Sequence, residues 1–206
     1  SFEWRHKILA AIRALEGGIS FSGIVEADEL LMQYSEKGRK FKNKEEYQRA
    51  KRKKHPKVAV LVVTDREGNL LFKQVGEKKV KNEQLRDELK SRLSENNLIC
   101  VKPNKEFRKG VKGLQSKKVI VNKRQIKRGI YSVKIVENKI SDFKTWLSRF
   151  HGVATKYLQS YLMWFVIMNK YLKELIDSDI GRLLNLSSHD RWAWDKYREI
   201  VSQRYE

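Results

Sequence analysis

The chain has 206 residues, and 45 Lys and Arg against 25 Asp and Glu give it a formal net charge of +20 at pH 7. Its hydrophobic fraction of 40% and its five Trp exclude a wholly disordered chain, because disordered chains are poor in large apolar residues. A single cysteine, Cys100, excludes an internal disulfide and favours a reducing compartment such as the cytoplasm. The longest apolar run, 162–168, is too short to span a bilayer, so no membrane partner is expected.

Apolar periodicity divides the chain into helices and strands separated by turn residues and charged segments. Two apolar runs around the turn at 65–69 predict a hairpin, and alternating residues at 19–31 predict a strand. In chain order the predicted elements are a helix over 2–15, a strand over 19–31, hairpin strands over 58–63 and 70–75, a helix over 81–93, a strand over 98–101, a helix over 105–111, a strand over 117–121, and helices over 133–151, 154–175 and 191–204.

This order of elements predicts the fold class. A hairpin followed by strand–helix–strand crossovers is typical of an α/β fold in which helices flank a mixed sheet, of the ribonuclease-H-like type. We divide the chain into a lead-in helix over 1–18, a core over 19–176 with a basic insertion over 35–57, and a C-terminal helical extension over 177–206.

The insertion over 35–57, called the basic arm below, concentrates positive charge. It carries ten cations between Lys37 and Lys54 against three acids and has no apolar period, which predicts a mobile loop that follows DNA phosphates. The alternative is a basic surface that only keeps the protein in solution. The predicted phosphate contacts are Lys37, Arg39, Lys40, Lys51, Arg52, Lys53 and Lys54 of the arm, with Arg128 and Lys144 elsewhere.

Carboxylates in two segments are candidates for metal chemistry on phosphodiesters, which uses two divalent cations held by Asp and Glu oxygens. Asp28 lies near the end of the first predicted strand, and strand alternation puts it on the same face as Glu26 and opposite Glu29. Glu137 and Lys144 lie two turns apart on one predicted helix. Taken alone, each pattern is more typical of a solvated surface than of a metal site.

A series of segments nevertheless resembles landmarks of the ISXO-like insertion-sequence transposases and covers nearly the whole chain. The segments are WRHKIL at 4–9, GIVEADE at 23–29, SEKG at 35–38, KRGIY at 127–131, and FKTWLSRFHGVATKYL at 143–158 continuing to YLMWF at 161–165. The last block is long and specific. Because the first landmark lies at residue 4, we expect the N-terminal recognition domain of fuller relatives to be missing.

The resemblance implies a DDE-type catalytic core with a ribonuclease-H-like fold. It also implies double-stranded DNA as partner, at transposon ends and target, and Mg²⁺ or Mn²⁺ for strand cleavage and transfer. By the same resemblance Asp28 and Glu137 are the first and third catalytic acids and metal ligands, and Lys144, the downstream family lysine, is a further catalytic residue. The resemblance also implies a bacterial, cytoplasmic and nucleoid-associated location, and it is compatible with a homo-oligomer.

One position departs from the family pattern. The second catalytic Asp falls on Lys102, which predicts an ammonium paired with Asp28 and Glu137 and a folded, catalytically silent site that holds no cofactor. The alternative for Lys102 is an exposed loop lysine. At the level of function, the alternatives to a transposase are a non-enzymatic DNA-binding protein derived from one and, more remotely, a basic structural protein of a ribonucleoprotein.

Overall fold

The computed structural model describes residues 2–121, 127–128, 130–171 and 191–202. The described helices are α1 (Phe2–Ile12), α2 (Lys44–Arg52), α3 (Asn82–Lys90), α4 (Lys105–Lys112), α5 (Lys134–Ser148), α6 (Thr155–Tyr171) and α7 (Arg191–Ser202), with a 3-10 helix over Arg13–Gly18. The described strands are β1 (Ile24–Met32), β2 (Val58–Asp65), β3 (Leu70–Glu77), β4 (Leu98–Val101), β5 (Lys117–Ile120), β6 (Lys127–Arg128) and β7 (Tyr131–Ser132).

Five of these strands form one mixed sheet in the order β3-β2-β1-β4-β5. Strand β2 pairs antiparallel with both β1 and β3, whereas β1, β4 and β5 run parallel to one another. Helices α3 and α4 lie in the connections that lead to β4 and β5. This is the α/β arrangement of the ribonuclease-H-like type, and it confirms the fold predicted from the sequence.

The hairpin follows from an apolar run and a polar turn. Every residue of β2 is buried, as expected for an inner strand covered on both faces. At the turn the Asp65 carboxylate accepts the backbone N–H of Asn69 at 2.9 Å and that of Ser22 at 3.0 Å, while Gly68 takes a φ of +90°. The predicted hairpin is therefore confirmed, and its turn is tied to the chain that enters β1.

Helices cover the two faces of the sheet. Helix α5 packs against β1 and β2, and α6 packs against β3. Phe72 of β3, Phe143 of α5 and Phe165 of α6 pack together with ring centroids 5.0 to 5.5 Å apart. Helices α3 and α4 pack against each other, and α4 also contacts β4 and β5. Helix α1 contacts both α6 and α7, so the lead-in helix and the C-terminal helix meet.

Two predicted elements differ from those observed. The first strand begins at Ile24 rather than residue 19, because Gly23 takes a φ of +56° just before the ladder begins. The prediction of a mobile loop over 35–57 is wrong, since helix α2 forms there with the Asn43 side chain accepting the Glu46 N–H. Helix α2 buries no residue, so apolar periodicity could not have revealed it.

Some predictions fall outside the described residues. The predicted helices over 154–175 and 191–204 are observed as α6 and α7, while residues 172–175 and 203–204 of these predictions and the whole stretch 177–190 lie outside the described ranges. None of the helices within the described ranges is long and apolar enough to cross a membrane.

Candidate functional site

Three charged side chains from distant parts of the sequence meet beside the inner strand β1, where β4 ends. The Lys102 ammonium lies 2.6 Å from Oδ2 of Asp28 and 2.6 Å from Oε1 of Glu137. Asp28 is the most enclosed of the three, with 14% of its side chain exposed, against 34% for Glu137 and 37% for Lys102. We call this set the acid–lysine cluster.

The fold brings these residues together through strand pairing. In the parallel β1–β4 ladder Ala27 lies opposite Val101, so Asp28 and Lys102 follow at the same level of the sheet. Glu137 comes from the first turn of α5, where a carboxylate is also favoured by the positive end of the helix dipole. The pairing of Lys102 with both carboxylates, predicted from the sequence, is present, and Lys102 is therefore not a free loop lysine.

Two opposing effects act on the Lys102 ammonium. Burial lowers its pKa, but the hydrogen bonds to Asp28 and Glu137 outweigh burial and raise the pKa above its ordinary value. The side chain is therefore fully protonated at neutral pH. The cluster then combines two negative charges with one positive charge.

Glu26 supports the site and was not assigned a role from the sequence. Its carboxylate is fully buried and accepts hydrogen bonds from Ser132 Oγ at 2.7 Å and from the N–H groups of Ile135 at 2.8 Å and Val136 at 3.1 Å. It thus caps the start of α5 from a different element and fixes Glu137 relative to β1. The sequence signal for this role is an acid that lies between the core residues of an apolar strand, because a buried carboxylate needs a hydrogen-bond partner.

Glu29 points to the opposite face of β1, as strand alternation predicts. Its carboxylate accepts the Val80 N–H at 3.2 Å and the Asn104 side-chain amide at 3.1 Å. Asn104 in turn caps α4 by accepting the Glu106 N–H. Glu29 therefore anchors the chain before α3 and the start of α4, and it takes no part in the acid–lysine cluster.

The basic arm is attached to the core through some of its own charged groups. The Lys37 ammonium donates to the carbonyls of Phe150, His151 and Gly152 at 2.8 to 3.1 Å, just beyond the end of α5. Arg39 pairs with Glu36 at 2.8 Å and with Glu46 at 3.0 Å. Lys37 therefore attaches the arm to the core, whereas Arg39 pairs within the arm, and the contact of either residue with DNA stays a prediction.

The other predicted phosphate contacts lie in three places. Lys144 is exposed on α5, and Arg128 lies in β6 with its side chain outside the described part of the chain. The remaining predicted contacts of the basic arm are all exposed at the surface, namely Lys40, Lys51, Arg52, Lys53 and Lys54.

Comparison with known proteins identifies the class to which this fold and site belong. A sequence profile of the ISXO2-like transposase domain matches residues 20–167, which is more than half of the chain. The chain belongs to this family of transposase domains. A search among curated proteins finds no relative by sequence.

Two solved structures match the chain at low sequence identity. The chain matches the simian T-cell lymphotropic virus intasome in complex with PP2A regulatory subunit B56 gamma at 13% identity and a TM-score of 0.46, covering 84% of this chain and 57% of that one. It matches a pre-cleavage Mos1 transpososome at 12% identity and a TM-score of 0.38, covering 98% and 64%. The chain therefore spans less than two thirds of the length of either neighbour.

The divalent metal that DDE transposases generally use does not fit the acid–lysine cluster. The Lys102 ammonium lies within 2.6 Å of both carboxylates, so a dication there would face a like charge at close range. Within the described ranges no group of three or more His, Cys, Asp or Glu side chains could hold a metal ion. The cation that the carboxylates hold is the side chain of Lys102.

Proposed function

We propose that this chain is a DNA-binding protein of the transposase family whose catalytic site is blocked by Lys102. The single observation that supports this proposal is the ammonium placed between Asp28 and Glu137. Strand cleavage and transfer by two metal ions needs carboxylates that are free to bridge the ions. Here the two carboxylates that resemble the family's ligands are already neutralised in part by an internal cation.

Double-stranded DNA is the partner that the charge supports. A net charge of +20 attracts the phosphate backbone, and each phosphate neutralised releases condensed counterions. We assign the phosphate contacts to the exposed cations of the basic arm, Lys40, Lys51, Arg52, Lys53 and Lys54, with Lys144 on α5. The site of action is then the nucleoid of a bacterial cytoplasm, where the protein acts alone or as a homo-oligomer.

Restoring the missing acid tests the proposal directly. We expect Lys102→Asp to gain a rise in melting temperature on titration with Mg²⁺ or Mn²⁺, because three carboxylates then face a site without an internal cation. The wild-type protein should show no such rise. The matched control is Lys102→Asn, which removes the ammonium without adding a carboxylate and should respond less than Lys102→Asp.

The outcomes separate the proposal from its alternatives. A metal-dependent rise in the wild-type protein, or none in a folded Lys102→Asp variant, contradicts the blocked site. Strand transfer of labelled transposon ends by the wild-type protein with Mn²⁺, abolished by Asp28→Ala, would identify an active transposase. Duplex binding that Asp28→Ala leaves unchanged is the result expected of a binding protein.

A further inference from the structure

A second basic surface lies along α4 and the edge strand β5, away from the basic arm. It is a groove of about 520 Å³, and the charged side chains that line it within the described part of the chain are all cations. Val111, Ile120 and Pro103 contribute apolar lining. The cations that line the groove are Lys105, Arg108, Lys109, Lys112 and Lys118.

Helix α4 presents these cations as a row. Lys105, Arg108, Lys109 and Lys112 follow the i, i+3, i+4, i+7 spacing that puts residues on one side of a helix. All four are exposed, whereas Phe107 on the other side is buried. Like charges at this spacing destabilise a helix, so the row is unfavourable unless an anion neutralises it.

The row has little internal neutralisation. In the described ranges none of the five cations lies within 4.0 Å of a carboxylate, although Lys118 donates to the carbonyl of Lys112 at 3.3 Å. The nearby acid of α4, Glu106, pairs with Lys79 at 2.9 Å and attracts Lys109 only from beyond ion-pair distance. The cations of the groove are therefore available to an external polyanion.

The shape of the surface favours a nucleic-acid backbone over a membrane. An interfacial helix inserts an apolar face into lipid, but the apolar residues Phe107 and Val111 of α4 are 2% and 1% exposed. The eight residues of α4 span about 12 Å, and duplex DNA carries a charge about every 1.7 Å of its axis. Four cations over that length are one charge per about 3 Å, which is close to the spacing of about 3.4 Å along one strand of the duplex.

We infer that the α4–β5 groove binds the phosphate backbone of double-stranded DNA as a second contact surface. This inference rests on the proposed DNA-binding function and adds a site to it. Pro103, which lines the groove, directly follows Lys102 in the chain, but α4 lies on the face of the sheet opposite α5, so the groove and the acid–lysine cluster are separate surfaces.

Paired substitutions with equal change of charge test the groove. We compare Lys105→Gln/Lys109→Gln with the control Lys78→Gln/Lys90→Gln, which removes two exposed lysines outside both basic surfaces. Binding of a fluorescein-labelled DNA duplex is measured by anisotropy from about 50 to 200 mM salt. The groove variant should reduce the slope of log K against log salt by about 2, since each lost phosphate contact removes about 0.9. The control should change it by much less.

The results distinguish failure of this inference from failure of the proposed function. Absence of duplex binding by the wild-type protein at about 50 mM salt overturns both. Normal binding by the wild-type protein, with equal slopes for the groove variant and the control, overturns the groove alone. A slope change that appears with duplex RNA but not with duplex DNA assigns the groove to RNA and also overturns the inference.

A measurement on the wild-type protein covers the case of a misfolded variant. Duplex DNA should protect Lys105 and Lys109 from acetylation, while Lys78 and Lys90 keep their reactivity, as read by mass spectrometry. Equal acetylation of all four lysines with and without DNA contradicts the inference.

Discussion

The cation that the carboxylates of the acid–lysine cluster hold is the ammonium of Lys102 rather than a metal ion, and this changes which groups those carboxylates can bind. Asp28 comes from β1 and Glu137 from α5, and without a cation between them the two carboxylates would repel each other. Because all three groups keep some contact with water, we expect this ion cluster to stabilise the fold by only about 1 to 2 kcal/mol, between the values for exposed and buried pairs. Its larger effect is to exclude a dication.

His6 is the residue whose environment predicts a pH effect. It is 3% exposed against the ring of Tyr157, with ring centroids 4.0 Å apart, and burial followed by the charges of Arg5 and Lys156 lowers its pKa from 6.5 to about 4. The unfolded chain therefore takes up a proton at higher pH than the folded chain does. The stability that His6 contributes is complete above pH 6.5 and is lost as the pH falls toward 4.

Replacing His6 should reduce this pH dependence. Between pH 7 and about 4.5 we expect the free energy of unfolding to fall by about 2 kcal/mol more in the wild-type protein than in His6→Phe. Urea unfolding at each pH measures the difference. The control His151→Asn changes an exposed histidine and should keep the wild-type profile, and equal profiles for wild type and His6→Phe would contradict the assignment.

At the scale of elements, buried polar contacts set the positions of the helices. Glu26 caps α5 from β1, and Glu29 on the opposite face of the same strand anchors the chain at α3 and α4. One strand therefore fixes helices on both faces of the sheet. Since such a cap satisfies helix N–H groups that water cannot reach, its loss costs more than the loss of an exposed cap.

The contact between α3 and α4 depends on a residue without a side chain. A Cβ added at Gly110 would lie 2.8 Å from Cδ2 of the buried Leu85 and 3.0 Å from the carbonyl oxygen of Asn82. We expect Gly110→Ala to lower the free energy of unfolding by about 1 to 3 kcal/mol, because overpacking outweighs the better helix propensity of Ala.

Chemical denaturation checks this expectation against a glycine in open space. Gly18 has nothing within 4 Å of an added Cβ, so Gly18→Ala should change the free energy of unfolding by less than about 0.5 kcal/mol. A Gly110→Ala variant as stable as Gly18→Ala would show that α3 and α4 separate easily.

On the scale of the whole molecule, charge is divided among distinct surfaces and internal contacts. Lys37 and Arg39 bind other parts of the chain, and Lys102 is held inside the acid–lysine cluster. Among the described residues, two groups of exposed cations available to a partner lie on the basic arm and in the α4–β5 groove. A net charge of +20 therefore overstates the number of phosphates that one duplex can contact.

Neutralising the arm should weaken DNA binding through the salt-dependent part of the affinity. We expect Lys51→Gln/Lys54→Gln to reduce the slope of log K against log salt by about 2, with little change in melting temperature, because both side chains are exposed. Anisotropy titrations with duplex DNA measure the slope. If the Lys78→Gln/Lys90→Gln control lowers it equally, the arm makes no specific phosphate contact.

Local patterns predicted most of the core elements. The apolar run at 58–63 and the polar turn at 65–69 specify a hairpin by themselves, and Leu85 and Leu89 at helical spacing define α3. Helix α2 escaped prediction because its stability comes from the Asn43 cap and charged contacts rather than from an apolar face. The sequence also left Glu26 without a role, since its partners lie 106 to 110 residues away.

The sequence by itself determined the family resemblance, the α/β order of elements, the excess of positive charge and the presence of Lys102 at the position of an acid. These features are local, because a motif, a period or a charge can be read from neighbouring residues. Only the tertiary structure decided which charged groups are in contact. It brings Lys102 to Asp28 and Glu137 and Lys37 to the carbonyls beyond α5, and it leaves the cations of α4 exposed along a groove. The physical reason is that Coulomb and hydrogen-bond energies depend on distances that strand register and helix packing fix across the chain.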